Sequence, residues 1–322
     1  MPEKCLIIGL GQIGMGYDLE HDPQQVVYTH ARAFSIHRRF ELVGAVDRSK
    51  SQRDLFRQHY GKPAYSTIAS AVREQQVSVV VIAAPTAQHS LILKEVLENL
   101  TPKLILCEKP LAYDLGEARE MVAACERAGV KLFVNYMRRA DPGSIEIKAR
   151  IKSGQISMPI KGVVWYSKGF LHNGSHFFNL LEFWLGPFVR SKMLDEGHLV
   201  DNQDVEPDVQ IEFERGKVVF IAAWEEAFSH YTIELLSPSG RLRYDRGGEA
   251  IAWQQVHADP NITGYQILEN TTEMIINGMD KYQKYVVDQL ADALLDKPVT
   301  LSTGRQSLAT LDAMHQIIIK RQ

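Results

Sequence analysis

The sequence predicts an α/β fold in which a doubly wound parallel sheet is followed by an α+β domain with an open, mainly antiparallel sheet. Three observations carry that expectation. Short, near-continuous apolar runs alternate with amphipathic stretches through the first 136 residues. G-x-G-x-x-G directly follows the first run, and the rhythm changes after residue 137. The domains are drawn accordingly as 1–137, which binds a dinucleotide, and 138–322.

The first half is justified element by element. "KCLIIG" (4–9), "FELVGAVD" (40–47), "VSVVVIAAP" (77–85), "KLILCEKP" (103–110) and "VKLFVNY" (130–136) are apolar on both faces, as strands covered on both sides by helices must be. Between them, "THARAFSIHRRF", "SKSQRDLFRQHY", "STIASAVREQQ", "SLILKEVLENL" and "LGEAREMVAACERAG" have helical periodicity. Strand and helix in alternation make βαβ units, hence a parallel sheet. In the second half "GSIEIKARIKSG" is helical, "IKGVVWYSKGF" strand-like, and residues 208–257 read as strands joined by the turn sequences "ERGK" and "SPSG". Two helical stretches, 279–297 and 304–322, close the chain.

Composition narrows the function classes. With 322 residues and 45% hydrophobic content the chain can bury a large core across two domains. A net charge of −3 offers no cationic surface for a phosphate backbone, which argues against nucleic acid as a partner. Cys5, Cys107 and Cys125 form no C-x-x-C pair and lie in or beside apolar runs, so they read as buried thiols in a reducing compartment. The opening "MPEKCLIIGLGQIG" is too short and too glycine-rich for a signal peptide, and no stretch approaches a membrane span. A cytoplasmic protein with no membrane contact is expected.

Gly9, Gly11 and Gly14 permit a tight turn and close approach of backbone N–H groups to a pyrophosphate, with Gln12 and Ile13 between them. Asp47 ends the second strand, where a carboxylate accepts from ribose hydroxyls and repels a 2′-phosphate, favouring NAD; Arg48 beside it keeps NADP as the other option. The interval from Gly14 to Asp47 exceeds the usual ~20 residues, and the excess is "MGYDLEHDPQQVVY" (15–28), either a surface loop or a flap over the ligands. Ligands bind at the carboxyl ends of such strands, which makes Ala84, Pro85, Thr86 and His89 of "AAPTAQH", and Glu108 and Lys109 of "LCEKP", cofactor-binding candidates. By position alone Lys109 is either a hydrogen-bond donor to a substrate hydroxyl or a solvated loop lysine.

Taken together, G-x-G-x-x-G, "HARAF", "VGAVD", "AAPTAQH", "CEKP" and "YMRRADP" resemble, in that order, the Gfo/Idh/MocA family, which includes glucose-fructose oxidoreductase and inositol 2-dehydrogenase. The resemblance covers about residues 4–186; the last third is similar only in its general sheet-then-helix pattern. It implies an NAD(P)-dependent reaction on a carbohydrate or polyol hydroxyl. It further implies a lysine, here Lys109, that contacts substrate and cofactor ribose, a Lys109-Pro110 bond that is often cis, and a second domain whose open sheet serves oligomerisation, as a homodimer or homotetramer.

"FLHNGSH" (170–176) precedes an apolar helix along which His176, Asn179 and Glu182 form the polar stripe. A cap, a metal site and a catalytic pair are all readings of two histidines there; no convergent third ligand supports the metal. Against the family motif D-x-x-x-H with aspartate three residues later, the histidine is His176, and His172 and Asn179 stand where the aspartates do. His176 is the expected proton acceptor, His172 shares that role or binds substrate, and Asn179, Arg138 and Arg139 are substrate-binding candidates. Loss of two carboxylates suits a substrate with its own negative charge, such as a nucleotide sugar. It also motivates the alternative of a non-catalytic, dinucleotide-dependent binding or regulatory protein.

Overall fold

A computed structural model describes residues 1–200, 204–223 and 228–319. Residues 224–227, within the stretch expected to form strands, and 320–322, at the end of the expected terminal helix, lie outside the described residues. Contacts divide the chain into two compact units, Met1–Ala140 with Asp280–Ala309, and Asp141–Met279 with Thr310–Gln322.

In the first unit, strands β1 (Glu3–Ile8), β2 (Phe40–Val46), β3 (Ala64–Tyr65), β4 (Val79–Ile82), β5 (Leu104–Cys107) and β6 (Lys131–Val134) pair in the order β6-β5-β4-β1-β2-β3, all parallel. A short strand, Ser302–Thr303, adds antiparallel to β6. The order reverses between β1 and β4, which is the switch point where such sheets bind ligands. Helices α1 (His30–Ile36), α2 (Lys50–Tyr60), α3 (Ile68–Glu74), α4 (His89–Asn99) and α5 (Leu115–Arg127) alternate with the strands as the sequence predicts. The starts of α1, α2, α3 and α5 are set by side-chain caps, Thr29 on the Arg32 amide, Ser49 on Gln52, Thr67 on Ser70 and Asp114 on Glu117. The two-residue β3 escapes a sequence reading because it is too short to show a period.

Asp280–Ala309 corrects the expected boundary. Drawn from sequence as part of 138–322, it packs instead with the first unit. The apolar face of its helix (Tyr282–Ala293), with Val286, Val287 and Leu290, joins Ile7, Phe34 and Val81 in one core. Helical periodicity shows which face is buried but not which core receives it.

The second unit holds α6 (Pro142–Ser153), strands β7 (Ile160–Tyr166), β8 (Phe188–Asp195), β9 (Leu199–Val200), β10 (Asp204–Val205), β11 (Asp208–Phe213), β12 (Gly216–Ala222), β13 (Thr232–Ser237), β14 (Gly240–Asp245), β15 (Ala250–Ala258), β16 (Gln266–Leu268) and β17 (Glu273–Ile275), and α7 (Ser175–Leu185). The large sheet runs β16-β15-β14-β13-β7-β12-β11-β8, with β17 also on β15. All pairs are antiparallel except β12 with β7. "ERGK" and "SPSG" are the expected hairpin turns, between β11 and β12 and between β13 and β14. β8 was not legible, because most of its side chains are exposed and no apolar alternation marks it. No helix among the described residues is long and apolar enough to cross a membrane.

Candidate active site

At the switch point the three glycines are required for three different reasons. Gly9 has φ +101°, and a Cβ there would lie 2.6 Å from the Ala83 backbone, so the ends of β1 and β4 meet only over glycine. A Cβ on Gly14 would lie 2.1 Å from the Gly9 carbonyl oxygen. At Gly11 a Cβ would meet no protein atom within 4 Å. The chain's own packing asks for no glycine at Gly11, whereas a pyrophosphate lying on the backbone does. Residues 11–17 make one helical turn, through Met15 N to Gly11 O at 2.9 Å and Tyr17 N to Gln12 O at 2.9 Å. The Gly11→Ala variant should fold with unchanged thermal stability yet bind NADH at least tenfold more weakly by fluorescence titration, whereas Gly14→Ala should lose thermal stability outright.

The helix then leaves its path and returns. His30 N bonds Ile13 O at 3.1 Å and Ala31 N bonds Gly14 O at 2.9 Å, bonds that an uninterrupted helix would make four residues on. Residues 15–29 are an excursion from one helix, not a separate surface loop. Its anchor is Asp18, fully buried, whose carboxylate accepts from Tyr28 N (2.7 Å), Thr29 N (3.0 Å) and Thr29 Oγ1 (2.7 Å) and lies 3.6 Å from Arg32 Nε. Tyr28 stacks on Tyr282 with ring centroids 5.4 Å apart.

Asp47 closes the other side of the glycine loop, accepting from Leu10 N (2.8 Å) and Ser49 N (2.7 Å). A carboxylate has about four acceptor positions, so two remain for ribose hydroxyls. Arg48 is exposed beside it. The donor set and the open space at Gly11 fit a dinucleotide.

Beyond β4, Ala84, Pro85 and Thr86 form a partly exposed turn. His89 does not belong with them. It is fully buried, with Nε2 2.9 Å from Ala84 O and Nδ1 3.2 and 3.1 Å from Pro110 O and Leu111 O. Burial pushes its pKa below the ordinary histidine value. His89 thus lies between the β4 turn and the Lys109 turn, where the single N–H of its neutral ring donates to a backbone carbonyl on one side. Lys109 is partly buried, and Lys109-Pro110 is cis. Arg139 is buried, 7% exposed, and Arg138 is half-buried. The three cysteines are buried and unpaired, and burial pushes their thiols up, Cys125 to about 12.

In the second unit "FLHNGSH" lies on a π-helical turn, Gly169–Gly174, running into α7. His176 is 8% exposed and His172 is exposed. Asn179 is fully buried, its Nδ2 3.0 Å from Thr310 Oγ1, which also donates to Glu182 Oε2. The polar stripe therefore finds its partner in the last helix (Gly304–Ile319). Asn179 Nδ2 ties that helix to α7.

Two carboxylates that sequence reasoning missed hold this turn. Asp204 accepts from Leu171 N (3.0 Å), His172 N (2.8 Å) and Val205 N (2.8 Å); Glu206 accepts from Gly169 N (2.8 Å). A Cβ on Gly169 would lie 2.1 Å from Asp204 Oδ2. The signal was in the acid-rich "DVEPD" (204–208), distant in sequence from the histidines. Desolvation and the Glu206 charge push Asp204 above the ordinary carboxylate range. Asp204 thus binds its proton more tightly folded than unfolded. Its stabilising contribution is complete below the unfolded value, about 3.9, and is lost as pH rises through the raised one. Urea unfolding from pH 4 to 6.5 should show wild type losing ground to Asp204→Asn as pH rises. Among the described residues no group of three or more His, Cys, Asp or Glu is placed to hold a metal.

Residues 4–136 match the family described as the oxidoreductase family with an NAD-binding Rossmann fold. Inositol 2-dehydrogenase of Rubrobacter xylanophilus is 31% identical over 134 residues, 41% of this chain and 38% of that protein. The scyllo-inositol 2-dehydrogenase (NAD(+)) of Bacillus subtilis is 29% identical over 168 residues, 52% and 44% of the two chains. The chain thus covers less than half the length of these curated relatives. The WlbA dehydrogenase of Bordetella pertussis, solved with NADH and UDP-GlcNAcA, superimposes with a TM-score of 0.77 at 17% identity, over 100% of this chain and 98% of that one. The glycine loop, Asp47 and the Lys109 turn all fall in or beside the parallel sheet of that matched segment, so the likeness to the Gfo/Idh/MocA oxidoreductases rests on residues 4–136.

Proposed function

We propose that the chain is an NAD(P)-dependent oxidoreductase that moves a hydride between nicotinamide and a hydroxyl or carbonyl carbon of a carbohydrate, polyol or nucleotide sugar. The observation that carries this is the glycine loop with open space at Gly11, at the switch point of a sheet whose β5 leads into the Lys109 turn. The inositol dehydrogenases and the UDP-GlcNAcA complex among its relatives support a sugar-like substrate. NAD, when bound, supplies the hydride acceptor. Asp47 holds the adenosine ribose and favours NAD over NADP. Lys109 donates a hydrogen bond to the reacting oxygen and stabilises negative charge as it develops there. His176 takes the hydroxyl proton, since imidazole titrates near neutral pH. His172 and Arg138 bind substrate.

The first unit serves the cofactor and the second serves substrate and self-association. Trp165, Leu236 and Met274, all exposed, stand on one face of the large sheet, which suits a homodimer or homotetramer. A cytoplasmic location suits the three buried, unpaired thiols.

Single-turnover reduction of NAD and of NADP across a panel of inositols, aldoses and nucleotide sugars tests the proposal. Reduction with at least one sugar, faster with NAD, is expected. Tight NADH binding with no turnover of any sugar would replace it with the dinucleotide-dependent regulator.

A further inference from the structure

The Lys109 turn is built around a buried carboxylate to which hydride transfer gives no task. Glu108 is 9% exposed. Its Oε1 lies 2.8 Å from His30 Nε2 and accepts from Asn135 Nδ2 at 2.7 Å; its Oε2 accepts from the Lys109 amide at 3.3 Å. These partners come from three places in the first unit: the first residue of α1, the residue after β6, and the lysine turn itself. A buried carboxylate is costly unless paired and hydrogen-bonded. Here His30, Asn135 and the Lys109 charge outweigh desolvation and hold Glu108 below the ordinary carboxylate value.

The other titratable groups that feel this charge are His89, Cys107 and Tyr282. Burial pushes Cys107 and Tyr282 up and His89 down, so each is held neutral. The Lys109 charge therefore acts on an anion that His30 and Asn135 hold in place. Among the described residues His30 Nδ1 has no hydrogen-bond partner, on a residue with no exposed surface.

We propose that His30, Glu108 and Asn135 form a positioning triad for Lys109: they fix a buried anion against the lysine, which keeps its amine an ammonium and aims it at the substrate oxygen. The triad rests on the role given to Lys109 above. It also explains why α1 must restart in register after the excursion, because His30 is the residue at which it restarts.

The test uses the full chain and three variants, Glu108→Gln, His30→Gln and His30→Leu. The titration midpoint of Lys109 is read by NMR after reductive ¹³C-methylation, with Lys109→Arg to assign the signal. Glu108→Gln should lower the midpoint by about one pH unit. Glutamine at position 30 keeps an N–H toward Glu108 and leucine does not. His30→Leu should therefore lower kcat about tenfold, His30→Gln should restore most of it, and NADH affinity should hold in both. An unmoved Lys109 midpoint in Glu108→Gln, or equal kcat losses in the two His30 variants, would overturn the triad. The titration needs no turnover. A shifted midpoint in a protein that reduces no sugar upholds the triad and discards the proposed reaction. An unmoved midpoint in an active enzyme does the reverse.

Discussion

Lys109→Met should lower kcat/KM by about 10²- to 10⁴-fold, with NADH affinity nearly unchanged. Methionine keeps the length of the side chain and removes only the ammonium, so the loss measures charge and donor capacity at the reacting oxygen. His176→Ala should show a loss of similar size for a different reason. Without a proton acceptor the oxidation must rely on water, and the fall in rate at acid pH should flatten in the profile. Added imidazole should recover part of the rate in His176→Ala and none in Lys109→Met. If the two groups act on one step, the double variant is little worse than the worse single one, because interactions that work as a unit are not additive. Equal rates in wild type and both single variants would remove Lys109 and His176 from the chemistry.

The parallel sheet was legible because its strands are covered on both faces, which leaves continuous apolar runs such as Val79–Ile82. Gly9, Gly14 and Asp47 were legible because backbone geometry and strand position dictate them. Asp204 and Glu206 were not. Their part is defined by the amides of Leu171, His172 and Gly169, which only folding brings to them. The same holds for His89 and Asn179. Type and spacing made them ligand candidates, and folding sets buried protein partners beside them, backbone carbonyls around the His89 ring and the Thr310 hydroxyl at Asn179. A polar residue on an apolar element announces that it needs a partner. It does not announce whether the partner is protein or ligand.

Asp18→Ala should reduce unfolding free energy by about 3 to 5 kcal/mol, a large share of the stability of an ordinary domain. The carboxylate is fully buried and supports two backbone amides and a hydroxyl of the excursion's last residues, Tyr28 and Thr29. It is also the counter-charge of Arg32, itself 7% exposed, whose guanidinium reaches the carbonyls of His21 and Val26. Alanine leaves that cation buried without its anion. The damage cannot stay in the excursion, because Arg32 sits in α1 between Ala31 and Phe34, both in the core with Ile7. Amide exchange at Phe34 should therefore accelerate together with exchange at Thr29. Asp18→Asn should cost less than alanine, since Oδ1 still accepts, and replacing Arg32 by methionine in the alanine background should return part of the loss by removing the stranded charge. A loss below 1 kcal/mol with Phe34 still protected would mean that the helix restarts at His30 without help from Asp18.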